Sequence, residues 1–142
     1  QGLEFDEICE KAAACRDRMN TYFVLESLDT LKKNGRLTGL QAFFATKLNI
    51  KPVMGADNGT IIKLDQARGI QKALQRMAEI AVKEAGTTKD KRLVIAHCNA
   101  PERAQFMKEK LCSMAEFKEV VITDTCGVST VYASDGGVIL AL

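Results

Sequence analysis

The stretch from Ile50 to Leu64, IKPVMGADNGTIIKL, sets Asp57-Asn58-Gly59 between two apolar runs. Asn-Gly adopts positive φ at little cost, so the triplet predicts a tight turn and the flanking runs a β-hairpin. A hairpin commits its two strands to antiparallel pairing. Every other segment has to be read around that pair.

Those segments alternate in character. Phe5, Ile8, Ala12, Cys15 and Met19 recur at helical intervals and predict an amphipathic helix from about residue 4 to 19. TYFVLES is a run of strand formers, Ser27 is placed to cap a short helix in LDTLKK, and Asn34-Gly35 ends it. Thr38 is placed to cap a further helix with Leu40, Phe43, Phe44 and Leu48 in one stripe. Between Gln66 and Ala85, the residues Ala67, Ile70, Leu74, Met77, Ile80 and Ala81 line one face of a long helix stopped by Gly86, and GTTKDK follows as a polar loop. RLVIAHC is almost continuously apolar, which predicts a strand at the sheet centre or covered on both faces. Asn99 and Glu102 have capping-box spacing, with Pro101 tolerated in the first turn, for a helix carrying Ala104, Met107, Leu111 and Ala115. EVVITDT reads as a strand. The ending TVYASDGGVILAL reads as one or two more, with Ser134-Asp135-Gly136-Gly137 as the turn between apolar runs at Thr130 to Ala133 and Val138 to Leu142. Interleaved helices and strands with an obligatory hairpin predict an α/β fold, its sheet mixed, largely antiparallel and packed against helices.

The 142 residues suit one compact domain with its own core. Twenty basic and 18 acidic side chains, evenly spread, leave +2, too little for a polyanion footprint, so no nucleic-acid partner is expected. No apolar run approaches the roughly 20 residues of a membrane span, and the first residues are amphipathic and acidic rather than signal-like; a cytoplasmic protein is expected. Cys9, Cys15, Cys98, Cys112 and Cys126 are odd in number and lack CxxC spacing, so buried free thiols are expected rather than bridges or a zinc site. The chain opens at Gln1, which suggests a fragment or processed product.

His97 is the only histidine, and Cys98 follows it. Adjacent strand residues point to opposite faces, so the two do not form a nucleophile and base. His97 at a strand end either faces a cleft or is a hydrogen-bonded structural histidine. Asp124 and Asp135 suit acid-base or metal chemistry, or else a strand-end cap and a turn, and nothing in their spacing joins them. Arg36, just beyond a helix end near Lys32 and Lys33, is either a solvated basic cap or an anion or partner contact. Phosphate-binding glycine loops are absent. A small-molecule enzyme using His97, Asp124 or Asp135, and a ligand-free interaction module, both stay open.

Taken in order, TYFVLESLDTLKKNGRL, LNIKPVM followed by NGTI, KLDQARG, RLVIAHCNAPERA and GVSTVYASDGGVILAL resemble the C-terminal half of the DegV family of bacterial fatty-acid-binding proteins. The resemblance implies a two-domain parent in which a long-chain fatty acid lies between the domains, its tail in an apolar tunnel, and is presented to a fatty-acid kinase. It implies no catalysis by this chain, no metal, and no cofactor besides the bound lipid. The family's N-terminal domain, with its Thr-Asp-Ser type carboxylate motif, has no counterpart here. The family ending is similar to GPVIGTHVGPG, and its carboxylate-holding histidine falls on Ala133, with Asp135-Gly136-Gly137 at the following Gly-Pro-Gly. Tyr132, Ser134, or the backbone N–H groups of Gly136 and Gly137 are the expected substitutes. The ligand-binding candidates are therefore Tyr132, Ser134, Asp135, Gly136, Gly137 and His97. By the same match, Arg36 falls on the family's GGRI arginine, a candidate contact for the other domain or the kinase. A tail of about 14 methylenes at about 0.8 kcal/mol each outweighs the roughly 1.5 to 3 kcal/mol of one hydrogen bond to a charged head. Losing the histidine should therefore change head-group preference more than it weakens lipid binding.

Overall fold

The computed structural model describes residues 2–37 and 49–142. In chain order these form α1 (Phe5–Arg18), β1 (Thr21–Val24), α2 (Asp29–Lys33), β2 (Ile50–Asp57), β3 (Thr60–Arg68), α3 (Ile70–Ala85), β4 (Arg92–His97), α4 (Pro101–Met114), β5 (Glu119–Asp124), α5 (Gly127–Ala133) and β6 (Val138–Ala141). The strands make one six-stranded sheet in the order β3-β2-β1-β6-β4-β5. Only β4 and β5, joined by the crossover helix α4, run parallel; the other neighbours are antiparallel. The expected mixed, largely antiparallel α/β fold is the observed one.

The hairpin forms at the expected turn, with Asn58 and Gly59 at φ 46° and 80°, and Asp57 pairs with Thr60 across it. Strand β4 lies between β6 and β5, as an almost continuous apolar run requires. Alternate residues of the central strands go to opposite faces. One face, with Tyr22, Val24, Leu93, Ile95, Val138 and Leu140, is buried under Leu74, Met77 and Ala81 of α3 and Met107 and Leu111 of α4. The other face carries a smaller cluster in which Leu25, Leu31, Leu37, Met54, Cys98 and Ala133 are buried, with Phe23, Ile61, Tyr132 and Ile139 partly buried against them.

Several expectations need correction. Thr130 to Ala133 belongs to helix α5 rather than to a strand. Ser129 Oγ donates to Cys126 O at 2.6 Å and closes the first turn, and Ala133 is buried against the sheet. Packing of that short face overrides the β propensity of Val and Thr. The long helix begins at Ile70, because Ala67 is still in β3 opposite Lys51 and the chain turns at Gly69. Asn99 caps nothing: Ala100 is the N-cap of α4, and Asn99 sits at φ 49°. Ser27 Oγ accepts from Asp29 N–H at 3.1 Å, although Leu28 is the N-cap of α2. The cysteines are free, but only Cys98 is buried; Cys9, Cys15, Cys112 and Cys126 are exposed. Helix α1 has the expected span, yet buries no residue, leaving Phe5 and Ile8 exposed. The helix expected to follow Thr38, with Leu40, Phe43, Phe44 and Leu48, lies outside the described residues. Within the polar loop, Thr88 is buried and its Oγ1 donates to Glu116 O at 2.6 Å.

One polar bond ties sheet to helix across the main core. Tyr22 is 2% exposed, and its hydroxyl donates to Glu84 Oε2 of α3 at 2.8 Å. Burial, reinforced by the Glu84 carboxylate, pushes the Tyr22 phenol well above its ordinary range. A phenol raised in the folded state contributes stability that is fully present below the unfolded pKa of about 10 and is lost as pH climbs beyond it. Tyr22→Phe should lower stability at neutral pH by about 1 kcal/mol and flatten the alkaline slope. Denaturant titrations of both proteins at pH 7 and above pH 10 measure this, and equal alkaline slopes would refute it.

Candidate functional site

The four residues Ser134 to Gly137 carry the chain from the end of α5 into the central strand, and the surroundings fix each of them. Ser134 N–H donates to Thr130 O at 3.0 Å, Gly136 N–H to Cys98 O at 2.8 Å and Gly137 N–H to Ser134 O at 3.2 Å, while Cys98 N–H donates to Gly137 O at 3.0 Å. Asn99 Nδ2 donates to Asp135 Oδ1 at 2.8 Å, and Arg103 Nη1 donates to Gly136 O at 2.6 Å. The amides of Gly136 and Gly137, expected as carboxylate donors, are therefore already spent on protein carbonyls. Both glycines act through the side chain they lack. A Cβ on Gly136, at φ 84°, would lie 2.5 Å from Arg103 Nη1, and one on Gly137 would overlap the carbonyl oxygen of Ala133.

Ser134 has φ 56° and ψ 169°, a region that belongs essentially to glycine and costs other residues about 1 to 3 kcal/mol. The bonds at Thr130, Cys98 and Arg103 hold it there. Ser134 is half-buried and its hydroxyl makes no hydrogen bond to a described residue, and the same is true of Tyr132. Two neutral side chains with unpaired hydroxyls thus flank Ala133, which is buried in the cluster on the second sheet face.

That face continues as two cross-strand rows. Phe23 pairs with Ile139, and Ile139 with Ala96; Thr21 pairs with Ala141, Ala141 with Val94, and Val94 with Val121. These seven residues are all half-buried, whereas Tyr22, Val24, Leu93, Ile95, Val138 and Leu140, their neighbours on the other face of β1, β4 and β6, are buried; Val120 and Ile122 of β5 are only partly so. Ala96 sits between Ile139 and Thr123, and Ala141 between Thr21 and Val94, so small side chains alternate with larger ones and the half-buried face is a shallow, mainly apolar trough.

The remaining candidates lie elsewhere. His97 is 6% exposed on the α4 side of β4; its Nδ1 accepts from Ala100 N–H at 3.3 Å and lies 3.4 Å from Asp124 Oδ1. Strand alternation directs it away from Cys98, which packs beside Ala133 and Tyr132. The structure thus joins His97 to Asp124, two residues that spacing alone did not connect, and leaves Asp135 apart with Asn99. Arg36 is exposed beyond α2, and its side chain has no hydrogen bond or ion pair among the described residues. Reasoning from sequence missed Asn99 and Arg103, which bond the four-residue turn directly, and Glu26 and Lys51, which hold Arg103 from behind it. Asn99 alone carried a local signal, because asparagine is enriched at positive φ. Among the described residues, no group of three His, Cys, Asp or Glu side chains could hold a metal ion, and no helix is long and apolar enough to cross a membrane.

A mixed sheet, with two long helices on one face and a half-buried, mainly apolar face on the other, defines an α/β domain. The chain belongs to the DegV family: the family model described as "Uncharacterised protein, DegV family" matches residues 1–141. It is 34% identical over 140 residues to a DegV domain-containing protein of Streptococcus pyogenes serotype M3, covering 98% of this chain and 49% of that one. Among solved structures, a DegV family protein of Ruminococcus gnavus with vaccenic acid superposes with a TM-score of 0.93 at 46% identity, over 99% of this chain and 50% of that one. The fatty acid kinase B3 protein of Streptococcus pneumoniae, loaded with linoleic acid, gives 0.84 at 33% identity, over 99% and 50%. The chain thus spans about half the length of the relatives it matches.

The turn geometry makes opposite demands at neighbouring positions. Ser134→Gly should raise stability by about 1 kcal/mol, since the relief of strain exceeds the 0.5 to 1 kcal/mol entropic cost of glycine. Gly137→Ala should lower it by about 2 kcal/mol or more, because its Cβ meets backbone that cannot rotate away. Thermal melts of the two variants should shift in opposite directions, and a common direction would contradict the assigned turn.

Proposed function

We propose that this chain is one half of a two-domain, non-catalytic lipid carrier that holds a long-chain fatty acid and presents its carboxyl end to a kinase. The observation that carries this reading is the half-buried, mainly apolar trough on the sheet face where Ala133 is buried, flanked by the unpaired hydroxyls of Tyr132 and Ser134. In this reading the acyl tail lies along Phe23, Ile139, Ala96, Ala141, Val94 and Val121, and the other domain closes over it. The head lies at the α5–β6 turn, where Tyr132 and Ser134 donate, Gly136 and Gly137 keep the turn narrow, and Asp135 braces it through Asn99. His97 supports the same end of the sheet through strand β4. Arg36, exposed and unengaged among the described residues, is the contact for the other domain or the kinase. The relatives solved with vaccenic and linoleic acids, one of them named as a fatty acid kinase B protein, support this assignment.

Tail burial supplies most of the proposed affinity. Each added methylene contributes about 0.8 kcal/mol, so dissociation constants should fall about fourfold per carbon until the trough is filled. Titration of the full-length protein with saturated fatty acids of increasing length measures this slope, and a flat series would overturn the tail site. Tyr132→Phe combined with Ser134→Ala should weaken binding about tenfold while leaving that slope unchanged, since it removes only head contacts. Asp124→Ala should leave lipid affinity within about twofold. Loss of a catalytic turnover in that variant would instead favour a small-molecule enzyme built on His97 and Asp124.

A further inference from the structure

Three charged side chains meet behind Gly136. Arg103, in the first turn of α4, donates from Nη2 to Glu26 Oε1 at 2.6 Å and from Nη1 to Gly136 O at 2.6 Å. Lys51 of β2 pairs with Glu26 Oε2 and also donates from Nζ to Glu26 O at 2.8 Å. Their side chains are only 19% to 34% exposed, so water screens them less than it does surface ions. Two cations and one anion leave one positive charge, tied directly to the turn that carries Ser134.

That charge has no other evident employment. A purely structural pair would be complete with Glu26 and either cation, yet both cations converge on it, and Arg103 extends to the turn. The side chains at the proposed head-group end, Tyr132 and Ser134, are neutral. Asp135 is the other charge in the turn, but it is exposed and strongly screened. The absence of a Cβ at Gly136 is what admits the guanidinium, since the added carbon would lie 2.5 Å from Nη1 and 2.9 Å from Glu26 Cγ.

We infer that Lys51, Glu26 and Arg103 form the charge that makes the head-group end selective for an anionic carboxylate over a neutral head on the same tail. Arg103 is the positioning residue, setting that charge against the turn through Gly136 O. The inference rests on the lipid reading above and adds the determinant of its head-group preference.

The test is an affinity ratio in the full-length protein. Oleate and oleyl alcohol compete separately against a fluorescent acyl probe, and the alcohol-to-oleate ratio of dissociation constants is compared across variants. Because both lipids are read on the same sample, partial unfolding of a variant cancels from the ratio. Arg103→Met should lower the ratio about tenfold, the order expected of a nearby unit charge at an effective dielectric of about 20. Arg103→Lys, which keeps the charge, should stay within about twofold of wild type. Glu26→Gln raises the net charge and should raise the ratio several-fold, although it breaks the same ion pairs. A cluster that only braced the fold would shift Glu26→Gln in the same direction as Arg103→Met, and that result overturns the inference; so does an unchanged ratio in either variant. Failure of the wild type to bind either lipid would instead overturn the lipid reading itself.

Discussion

The architecture depends on the backbone hydrogen bonding of β6, a strand of four residues. Val138–Ala141 pairs along its whole length with β1 on one side and β4 on the other. It is the only link in the sheet between the hairpin half, β3-β2-β1, and the parallel half, β4-β5. Its Val138 and Leu140 side chains are fully buried between the two halves and the helices above. A last strand that completes the centre of a sheet must arrive in register, since a one-residue slip would send Val138 and Leu140 to the half-open face. The chain also has to leave α5 and reach that register within four residues. The left-handed Ser134, the two crowded glycines and the convergence of Asn99 and Arg103 on the turn all follow from that short approach.

What the sequence revealed, and what it concealed, divides along the same line. Local chemistry was legible: Asn58-Gly59 specified a hairpin, the 3.6-residue pattern of Leu74, Met77 and Ala81 specified a helix, and RLVIAHC specified an interior strand. These features depend on residues close in sequence. The turn before β6 was legible as a turn, but Thr130 to Ala133 read as strand, because β-branched residues favour strands unless packing decides otherwise. The packing that decided it, Ala133 and Tyr132 in one cluster with Met54 and Phe23, joins residues about 80 to 110 positions apart, beyond any periodicity. The candidate site divides likewise. Tyr132, Ser134, Asp135 and the glycines lie in one short stretch and could be named together. Glu26, Lys51 and Arg103 come from three separate elements with no motif between them, and so could only be found in the fold.

The two sheet faces are unequal for a physical reason. Helices α3 and α4 are long enough to cover four strands, and they bury the side chains of β1, β6 and β4 on one face. On the other side, among the described residues, α2 and α5 span only five and seven residues, and the cluster they bury centres on Leu25, Leu31, Met54 and Ala133. Phe23, Ile139, Val94 and Val121 are half-buried, in positions where a chain selected for stability alone would place polar residues. An apolar face of this kind weakens an isolated domain and strengthens a complex.

The same asymmetry separates the roles of tail and head. In the proposed lipid reading, burial in the trough is non-directional and grows with contact area, so it would set how strongly a lipid is held but distinguish poorly among lipids of similar length. Discrimination needs groups whose free energy changes sharply with the chemistry of the head. Hydroxyls at Tyr132 and Ser134 accept either a neutral or a charged partner, and they lack that sharpness. A partly buried positive charge does not, because its interaction with a carboxylate has no counterpart for an alcohol. Fixing that charge from behind the turn keeps the guanidinium bonded to Glu26 and Gly136, so little further ordering is required when a ligand enters. In that reading the rigid approach to β6 that closes the sheet also holds the proposed head-group end in a prepared form.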